Sequence, residues 1–240
     1  MEIITSHNAL DFDGLAAMVA AGKLFPSALK VFSGTLSKNV KQFMALYKDS
    51  LMIYTPNQVD LTQVKKMIIV DTANANRLGH LADLARYAEI KRYIYDHHPP
   101  SPDDLAGDMV MIEEVGAATT ILVELIRIRD VKLSAFDATI LALGIYEDTG
   151  SLLFPSTTSR DAEAAAFLLK SGANLSIVAN FMEQPFSSGQ RSLLQELLNN
   201  ARHYKISSMD VVIAIAEADA FIPGLDAVTF RLFEIENCDA

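Results

Sequence analysis

The stretch YIYDHHPP, residues 93–100, decides how the fold of this chain is interpreted. Its first three residues predict a buried strand, whereas the two prolines at its end lack the backbone N–H of a sheet residue and take the chain out of the sheet. Asp96, His97 and His98 therefore come directly at the end of a strand. Ligands of α/β sheets bind at the carboxyl ends of the strands.

Two earlier apolar runs end in the same way. Residues 2–6 predict a strand, and a polar turn over 7–14 leads into an alanine-rich helix over 15–24. The run 67–71 is apolar up to Asp71, as expected of a parallel strand covered on both faces. A helix is predicted over 78–87, between this strand and the next. This order of strand, turn and helix predicts an α/β fold, with a mostly parallel sheet and helices on both faces.

The second half of the chain is predicted to be mainly helical, with helices over 117–128, 134–147 and 159–171. Asp148 lies at the exit of the second of these helices, because Gly150 ends it.

We predict three parts of the chain: a first domain over 1–185, a linker helix over 186–202, and the start of a second α/β domain over 203–240. The last part shows a strand over 209–216 and a helix over 225–235 with no returning strand. It is therefore expected to be incomplete.

Composition limits the functional class. With 240 residues, half of them hydrophobic, the chain can bury a substantial core. A net charge of -10 argues against a surface that binds nucleic acid throughout by releasing counterions. The single cysteine, Cys238, excludes an intrachain disulfide and a cysteine metal cluster, which favours the cytoplasm. We expect neither a signal peptide nor a membrane span.

Each polar residue at a strand or helix end has an ordinary structural explanation when it is taken alone. Asp11 and Asp13 suit a solvated turn, and Asp71 suits a helix cap. His97 suits a polar loop, and Asp148 suits a helix terminus.

Their common position favours a shared site instead. In a parallel sheet, the residues that follow the strands converge on one edge, and this set provides two imidazoles and four carboxylates: His7, Asp11, Asp13, Asp71, His97 and Asp148. Without cations, the carboxylates would repel each other strongly. Two divalent ions would balance them, and paired ions about 3.5 to 4 Å apart suit the hydrolysis of phosphate esters. Nitrogen and oxygen ligands without thiolate favour Mn²⁺, with Mg²⁺, Co²⁺ or Zn²⁺ as substitutes.

Four segments together resemble the motifs of the DHH phosphoesterase family: SHNALDFDG (6–14), IIVDTAN (68–74), YDHHPP (95–100) and GIYEDTG (144–150). This family includes RecJ nucleases, nano-RNases, phosphoadenosine phosphatases, cyclic dinucleotide phosphodiesterases and, more distantly, family II pyrophosphatases. The first motif departs from the family in one place, since Leu10 stands where proline is frequent. The predicted ligands are unchanged by this departure.

The resemblance implies a role for each residue. One metal would be held by His7, Asp11 and Asp71, and the other by Asp13, Asp71, His97 and Asp148, so that Asp71 bridges the two. Asp96 would orient the ligands, and His98 would contact the substrate phosphate; Asp71, Asp96 and His98 are therefore the catalytic candidates. A structural hydrogen bond to the loop is the alternative for His98.

Within the family, the motifs are most similar to the N-terminal region of large bacterial proteins that join a DHH module to CBS domains and a CCA-adding or poly(A) polymerase-like nucleotidyltransferase. The segments at 11–13 and 233–237 carry this similarity. The second domain of the family normally contains a Gly-Gly-His substrate loop, which is absent from this sequence up to Ala240. The substrate-binding lobe is therefore expected to be incomplete.

The leading prediction is a metal-dependent phosphoesterase or nuclease acting on a nucleotide or short oligonucleotide. The alternatives are a nucleotide-binding or RNA-binding regulatory module of a larger tRNA nucleotidyltransferase, and an inorganic pyrophosphatase. The expected partners are the nucleotide substrate and, within a longer chain, tRNA or another RNA. No membrane partner is expected, and a homodimer is compatible with the sequence.

Overall fold

The computed structural model describes residues 1–182, 186–218 and 220–239. The chain divides into two compact units, Met1–Glu183 and Gln184–Ala240. The domain boundary predicted at residue 185 falls on residues 183–185, which lie outside the described part.

The first unit is built on a six-stranded parallel sheet, which confirms the predicted fold class. Its strands are β1 (Glu2–Thr5), β2 (Leu29–Val31), β3 (Ile53–Tyr54), β4 (Lys66–Val70), β5 (Lys91–Asp96) and β6 (Met109–Ile112). They lie in the order β3-β2-β1-β4-β5-β6, so the strand order reverses between β1 and β4. Ligands of open α/β sheets bind at such a reversal.

Seven α-helices of this unit fall within the described residues. They are α1 (Phe12–Leu24), α2 (Lys38–Leu51), α3 (Ala82–Arg86), α4 (Ala118–Ile128), α5 (Ala135–Asp148), α6 (Ser159–Lys170) and α7 (Leu175–Met182). Short 3₁₀ segments occupy Pro56–Gln58, Leu61–Gln63 and Ala75–Leu81.

Strand β4 shows why the sheet is covered on both faces. Ile68 and Val70 belong to the core cluster that contains α1, α4 and α5, whereas Met67 and Ile69 belong to a second cluster with residues of α3. Because successive side chains of a strand point to opposite faces, an unbroken apolar run is buried on both.

Two local features of the first unit differ from the sequence-based expectation. Strand β6 was not predicted, because it is a partly exposed edge strand of four residues that follows a loop rich in proline and aspartate. The helix predicted over 78–87 is broken at Gly79, whose φ of 56° lies in the left-handed region. A Cβ atom at Gly79 would lie 2.3 Å from the Ser33 carbonyl oxygen, so this turn requires glycine.

The second unit contains α8 (Ser188–Asn199), β7 (Arg202–Ile206), β8 (Met209–Ile213) and α9 (Leu225–Glu236). Strand β7 was not predicted, and it pairs with β8 in an antiparallel hairpin. All five of its residues are exposed, and Tyr204 and Ile206 alone are apolar, too short an alternation to predict a strand.

Candidate metal centre

The predicted ligands that follow the strands meet at the carboxyl edge of the sheet. His7 comes two residues after β1, and Asp71 and His97 come immediately after β4 and β5. Thr5 pairs with Ile69, and Val70 pairs with Tyr95, so the three strand ends lie side by side. The parallel register therefore brings two imidazoles to either side of one carboxylate.

The first group of ligands contains His7, Asp11 and Asp71. The Nε2 atom of His7 lies 3.0 Å from Oδ2 of Asp71 and 3.4 Å from Oδ1 of Asp11. One potential ligand atom from each residue lies within 4.8 Å of the others, which is close enough to surround one ion.

The second group contains Asp13, Asp71, His97 and Asp148. The Nε2 atom of His97 lies 3.3 Å from Oδ2 of Asp148, 3.5 Å from Oδ1 of Asp71 and 3.8 Å from Oδ2 of Asp13. Asp71 therefore belongs to both groups and presents a different oxygen to each imidazole. The structure brings together all six predicted ligands, although their binding of metal stays a prediction.

Two buried polar atoms at this site are placed to bind a metal ion. Oδ1 of Asp71 and Nε2 of His97 have no hydrogen-bond partner among the described residues. Nδ1 of His97 lies 3.1 Å from the Val115 carbonyl oxygen, to which a protonated Nδ1 donates. In the neutral ring, that hydrogen bond leaves the Nε2 lone pair free for a cation.

Helix termini hold the two carboxylates of the first motif. Asp11 caps α1 and accepts a hydrogen bond from the Gly14 amide at 3.0 Å. Asp13 is fully buried and accepts from the amides of Ala118 and Thr119, at 2.7 and 2.9 Å, at the start of α4. The positive end of the α4 dipole thus offsets part of the cost of burying this carboxylate.

The backbone at Asp71 leaves the sheet through a left-handed turn, with φ of 60°. Its amide still donates to the Tyr95 carbonyl oxygen at 2.8 Å. Non-glycine residues rarely adopt this conformation, and such strain concentrates at functional sites.

The pKa shifts show how strongly the charges of the centre interact. Burial alone would lower the pKa values of His7 and His97, but the carboxylates beside each ring raise them to about 10 and about 11. Burial raises the pKa values of Asp13 and Asp148, and the charge of Asp71 raises both further. In the absence of cations, protons must therefore balance the charge of this carboxylate cluster.

Asp71 behaves in the opposite way to Asp13 and Asp148. Burial by itself would raise its pKa, but the imidazoles of His7 and His97 beside it outweigh this effect and lower the pKa to about 2. Asp71 is therefore ionised across the physiological range, as a bridging ligand must be.

Asp96 forms hydrogen bonds with both neighbouring histidines, and its role in orienting the ligands stays a prediction. Its Oδ1 accepts hydrogen bonds from the backbone amides of His97 and His98 at 2.8 and 3.2 Å. The same oxygen lies 2.7 Å from Nδ1 of His98. The His98 side chain is 41% exposed, so its second nitrogen is accessible to a ligand.

Sequence reasoning missed Arg77, whose Nη1 lies 3.5 Å from Nε2 of His98. Its carbonyl oxygen also accepts from the amide of Asn8, the residue after His7. Arg77 comes three residues after the second motif, and no sequence pattern marks it.

Glu147 was also missed, although it directly precedes Asp148. Its carboxylate accepts a hydrogen bond from the Phe12 amide, between Asp11 and Asp13. Burial and the nearby carboxylates together raise the pKa of Glu147 to about 7, against the effect of that hydrogen bond. Glu147 therefore fastens the end of α5 to the start of α1.

None of the helices in residues 1–182, 186–218 and 220–239 combines the length and apolar character needed to cross a membrane.

Two known proteins are similar to the chain in sequence. It is 38% identical over 241 aligned residues to an A-adding tRNA nucleotidyltransferase of Geobacter sulfurreducens. This alignment covers the whole of this chain and 27% of that protein. It is 33% identical over 127 residues to a bifunctional oligoribonuclease and PAP phosphatase of Mycoplasma genitalium, which covers 51% of this chain and 39% of that protein. The chain thus spans about a quarter of the first relative.

The fold also resembles that of an exopolyphosphatase-related protein from Bacteroides fragilis, with a TM-score of 0.67 and 16% identity. The match covers 85% of this chain and 62% of that one, and at this identity it supports the fold alone. The family model described as the N-terminal domain of the DHH family matches residues 2–145, which include every predicted ligand except Asp148. The chain therefore belongs to the DHH family.

Proposed function

We propose that this chain is a metal-dependent phosphoesterase that hydrolyses a phosphate ester of a nucleotide or short oligonucleotide. Its cofactor would be a pair of divalent ions, of which Mn²⁺ suits the nitrogen and oxygen ligands best. When bound, such ions polarise phosphate oxygens and lower the pKa of water.

One observation carries the proposal: the Asp71 carboxylate lies between two imidazoles, with Oδ2 3.0 Å from Nε2 of His7 and Oδ1 3.5 Å from Nε2 of His97. A buried carboxylate that presents one oxygen to each of two ligand groups suits a pair of ions better than a single ion. Paired ions are well suited to the in-line displacement at phosphorus.

The residues beside the ligands would bind and orient the substrate. Asp96 holds the His98 ring through Nδ1 at 2.7 Å, so that Nε2 lies next to the Arg77 guanidinium. Arg77 would donate hydrogen bonds to the phosphate oxygens and attract the phosphate by its charge, and His98 would contact the phosphate beside it. Asp96 acts through His98 and is a positioning residue in this proposal.

The test is the hydrolysis of RNA of two to four nucleotides by the full chain, with Mn²⁺ added or chelated and the mononucleotides separated by chromatography. We expect Mn²⁺-dependent release that is abolished in Asp71→Asn. Asp83→Asn is the matched control, because this side chain is 93% exposed and its ion pair with Arg86 is at the surface.

Parallel assays with 3′-phosphoadenosine 5′-phosphate and with pyrophosphate divide the candidate substrates. Phosphate release from pyrophosphate alone would assign the chain as an inorganic pyrophosphatase. Absence of turnover with all three substrates would contradict the phosphoesterase proposal.

The relation to A-adding tRNA nucleotidyltransferases favours a second candidate. In that case the chain would be a nucleotide-binding or RNA-binding regulatory module of a larger protein, with tRNA or another RNA as its partner. The alignment along the whole chain supports this candidate. Binding of an RNA 3′ end with no hydrolysis over many hours would favour it over the phosphoesterase.

The domain division that we propose keeps residues 1–185 as the DHH phosphoesterase domain, 186–202 as the linker and 203–240 as the start of a second domain similar to the substrate-binding domain of the family. The absence of disulfide chemistry from a sequence with one cysteine supports the cytoplasm as the proposed location.

A further inference from the structure

A large cavity lies at the same edge of the sheet as the candidate metal centre. Its volume is about 1040 Å³, and its wall includes Asn8 after β1, residues 32–36 after β2, residues 53–57 around the end of β3, and Gly79 and His80 beyond β4. We call it the β2–β3 cavity. Ligand pockets commonly measure about 300 to 1,000 Å³, so this space is sufficient for a nucleotide.

The β2–β3 cavity is connected to the metal centre through one residue. Asn8 lines the cavity, and its carbonyl oxygen lies 2.7 Å from Nδ1 of the predicted ligand His7. The Asn8 side chain also accepts from the Thr35 amide at 3.0 Å on the cavity wall. A molecule with its phosphate at the metal centre would therefore have the cavity beside it.

The lining suits the uncharged part of such a molecule. Phe32, Met44 and Tyr54 provide aromatic and apolar surface, and the hydroxyl and amide groups of Ser33 and Asn57 provide hydrogen-bonding partners. None of the lining residues is acidic, although the chain has a net charge of -10. Lys48 is the single lysine or arginine among the lining residues, too few cations to indicate a polyanion.

Tight turns form part of the wall. A Cβ atom on Gly34 would lie 2.6 Å from Oδ1 of Asn8 and 2.8 Å from the Phe32 ring. The Gly79 turn approaches the Ser33 carbonyl just as closely. Because both turns pack too closely to admit a Cβ atom, packing within the chain shapes this part of the wall.

We propose that the β2–β3 cavity binds the base and ribose of the nucleotide whose phosphate lies at the metal centre. The proposal rests on the proposed phosphoesterase function and adds the site that selects nucleotides over simpler phosphate esters. The aromatic wall would stack on the base, an interaction available to every base and therefore tolerant of sequence.

Equilibrium binding to the full chain tests the proposal without any turnover. With Mn²⁺ present, calorimetry compares AMP, ribose 5-phosphate and inorganic phosphate, and a metal-free titration with adenosine follows the backbone amide signals of Asn8 and Gly34 by NMR. We expect AMP to bind at least about tenfold more tightly than ribose 5-phosphate. Adenosine should shift both amide signals.

Two variants change the cavity in opposite ways. Tyr54→Ala removes an aromatic wall, and Thr35→Trp places a large side chain at an exposed position on the cavity wall. Each should weaken AMP binding about tenfold and leave the binding of inorganic phosphate unchanged. Tyr87→Ala is the control, because this tyrosine is 59% exposed and precedes the opposite end of β5.

Different binding results would contradict the cavity proposal and the metal-centre proposal. Equal affinity of the wild-type protein for AMP and ribose 5-phosphate, or unchanged AMP binding in both variants, would overturn the cavity proposal. Failure of inorganic phosphate to bind with Mn²⁺ would count against the metal centre, and the adenosine titration would still decide the cavity. Adenosine that leaves both amide signals in place would reject the cavity in that case.

Discussion

Histidine–carboxylate pairs occur in both units of the chain, in different surroundings. His97 lies 3.3 Å from Asp148, and their side chains are 13% and 26% exposed. His203 lies 3.0 Å from Glu236, but the histidine is 63% exposed. The distances are similar, so burial and neighbours must set the chemistry of each pair.

The residues around the two pairs also differ, because the surroundings of His97 are more buried than those of His203. The His97 imidazole is close to three carboxylates, and its other nitrogen is hydrogen-bonded to the backbone. In the second unit, Val228 is the one buried side chain among those described in 186–218 and 220–239. A fixed, water-poor scaffold is what turns a histidine and a carboxylate into a metal site. An exposed pair contributes little, because water and salt screen it.

The largest effect should come from removing the imidazole in the first unit. His97→Gln should weaken Mn²⁺ binding more than about a hundredfold, since even the outer partners of metal ligands change affinity about 10-fold to 100-fold. His203→Gln is the matched control and should bind Mn²⁺ as the wild-type protein does. Calorimetric titration measures both. Equal loss in the two variants would show that burial does not separate the pairs.

Core truncation sharpens the comparison of the two scaffolds. Leu141 in α5 is 0% exposed, and Leu141→Ala should lower the free energy of unfolding by about 2 to 5 kcal/mol. Phe221 in the second unit is 89% exposed, and Phe221→Ala should change it by no more than about 0.5 kcal/mol. Urea unfolding measures both variants. A large loss in Phe221→Ala would reveal apolar burial at that residue in solution.

The side chains that meet at the candidate metal centre could be predicted because each is tied to a strong sequence signal. Asp71 and His97 end apolar runs, and the parallel pairing of β1, β4 and β5 then fixes their convergence. Asp148 was found by its motif and by the glycine that ends its helix. These inferences need only the periodicity of strands and the direction of the sheet.

Other parts of the site depend on contacts that leave no periodic pattern. Arg77 lies in a 3₁₀ segment broken at Gly79, so its approach to His98 depends on turn geometry. The β2–β3 cavity depends on how residues 32–36 pack against Asn8. Strand β7 escaped prediction because Tyr204 and Ile206 are too short an apolar alternation to indicate a strand.

Metal binding should slow hydrogen exchange in the first unit and leave it unchanged in the second. Mn²⁺ at about 100 times its dissociation constant should stabilise the folded state of the unit that holds the ligands by about 2.7 kcal/mol. Exchange should therefore slow in β1, β4 and β5 and stay unchanged in β7 and β8. Mass spectrometry of peptic peptides measures this, with Ca²⁺-free and Mn²⁺-free buffer as the reference. Equal protection of both units, or of neither, would contradict a metal centre confined to the first unit.

The pH dependence of that stabilisation should be the effect most specific to the buried pairs. Burial opposes the charged forms of His7 and His97, but the surrounding carboxylates raise their pKa values to about 10 and about 11. Without metal, the stability that these imidazoliums contribute is complete below the unfolded pKa of about 6.5 and is lost as the pH rises through the folded values.

Metal binding requires both rings to be neutral, so it must displace their protons. Between pH 6.5 and 9, the stabilisation by Mn²⁺ at constant concentration should therefore grow by about 1.4 kcal/mol per pH unit for each proton displaced. Melting temperatures measured with and without Mn²⁺ should diverge as the pH rises, and His203→Gln should show the same divergence as the wild-type protein. A constant difference across this range would mean that the imidazoles near Asp71 carry no protons for the metal to displace.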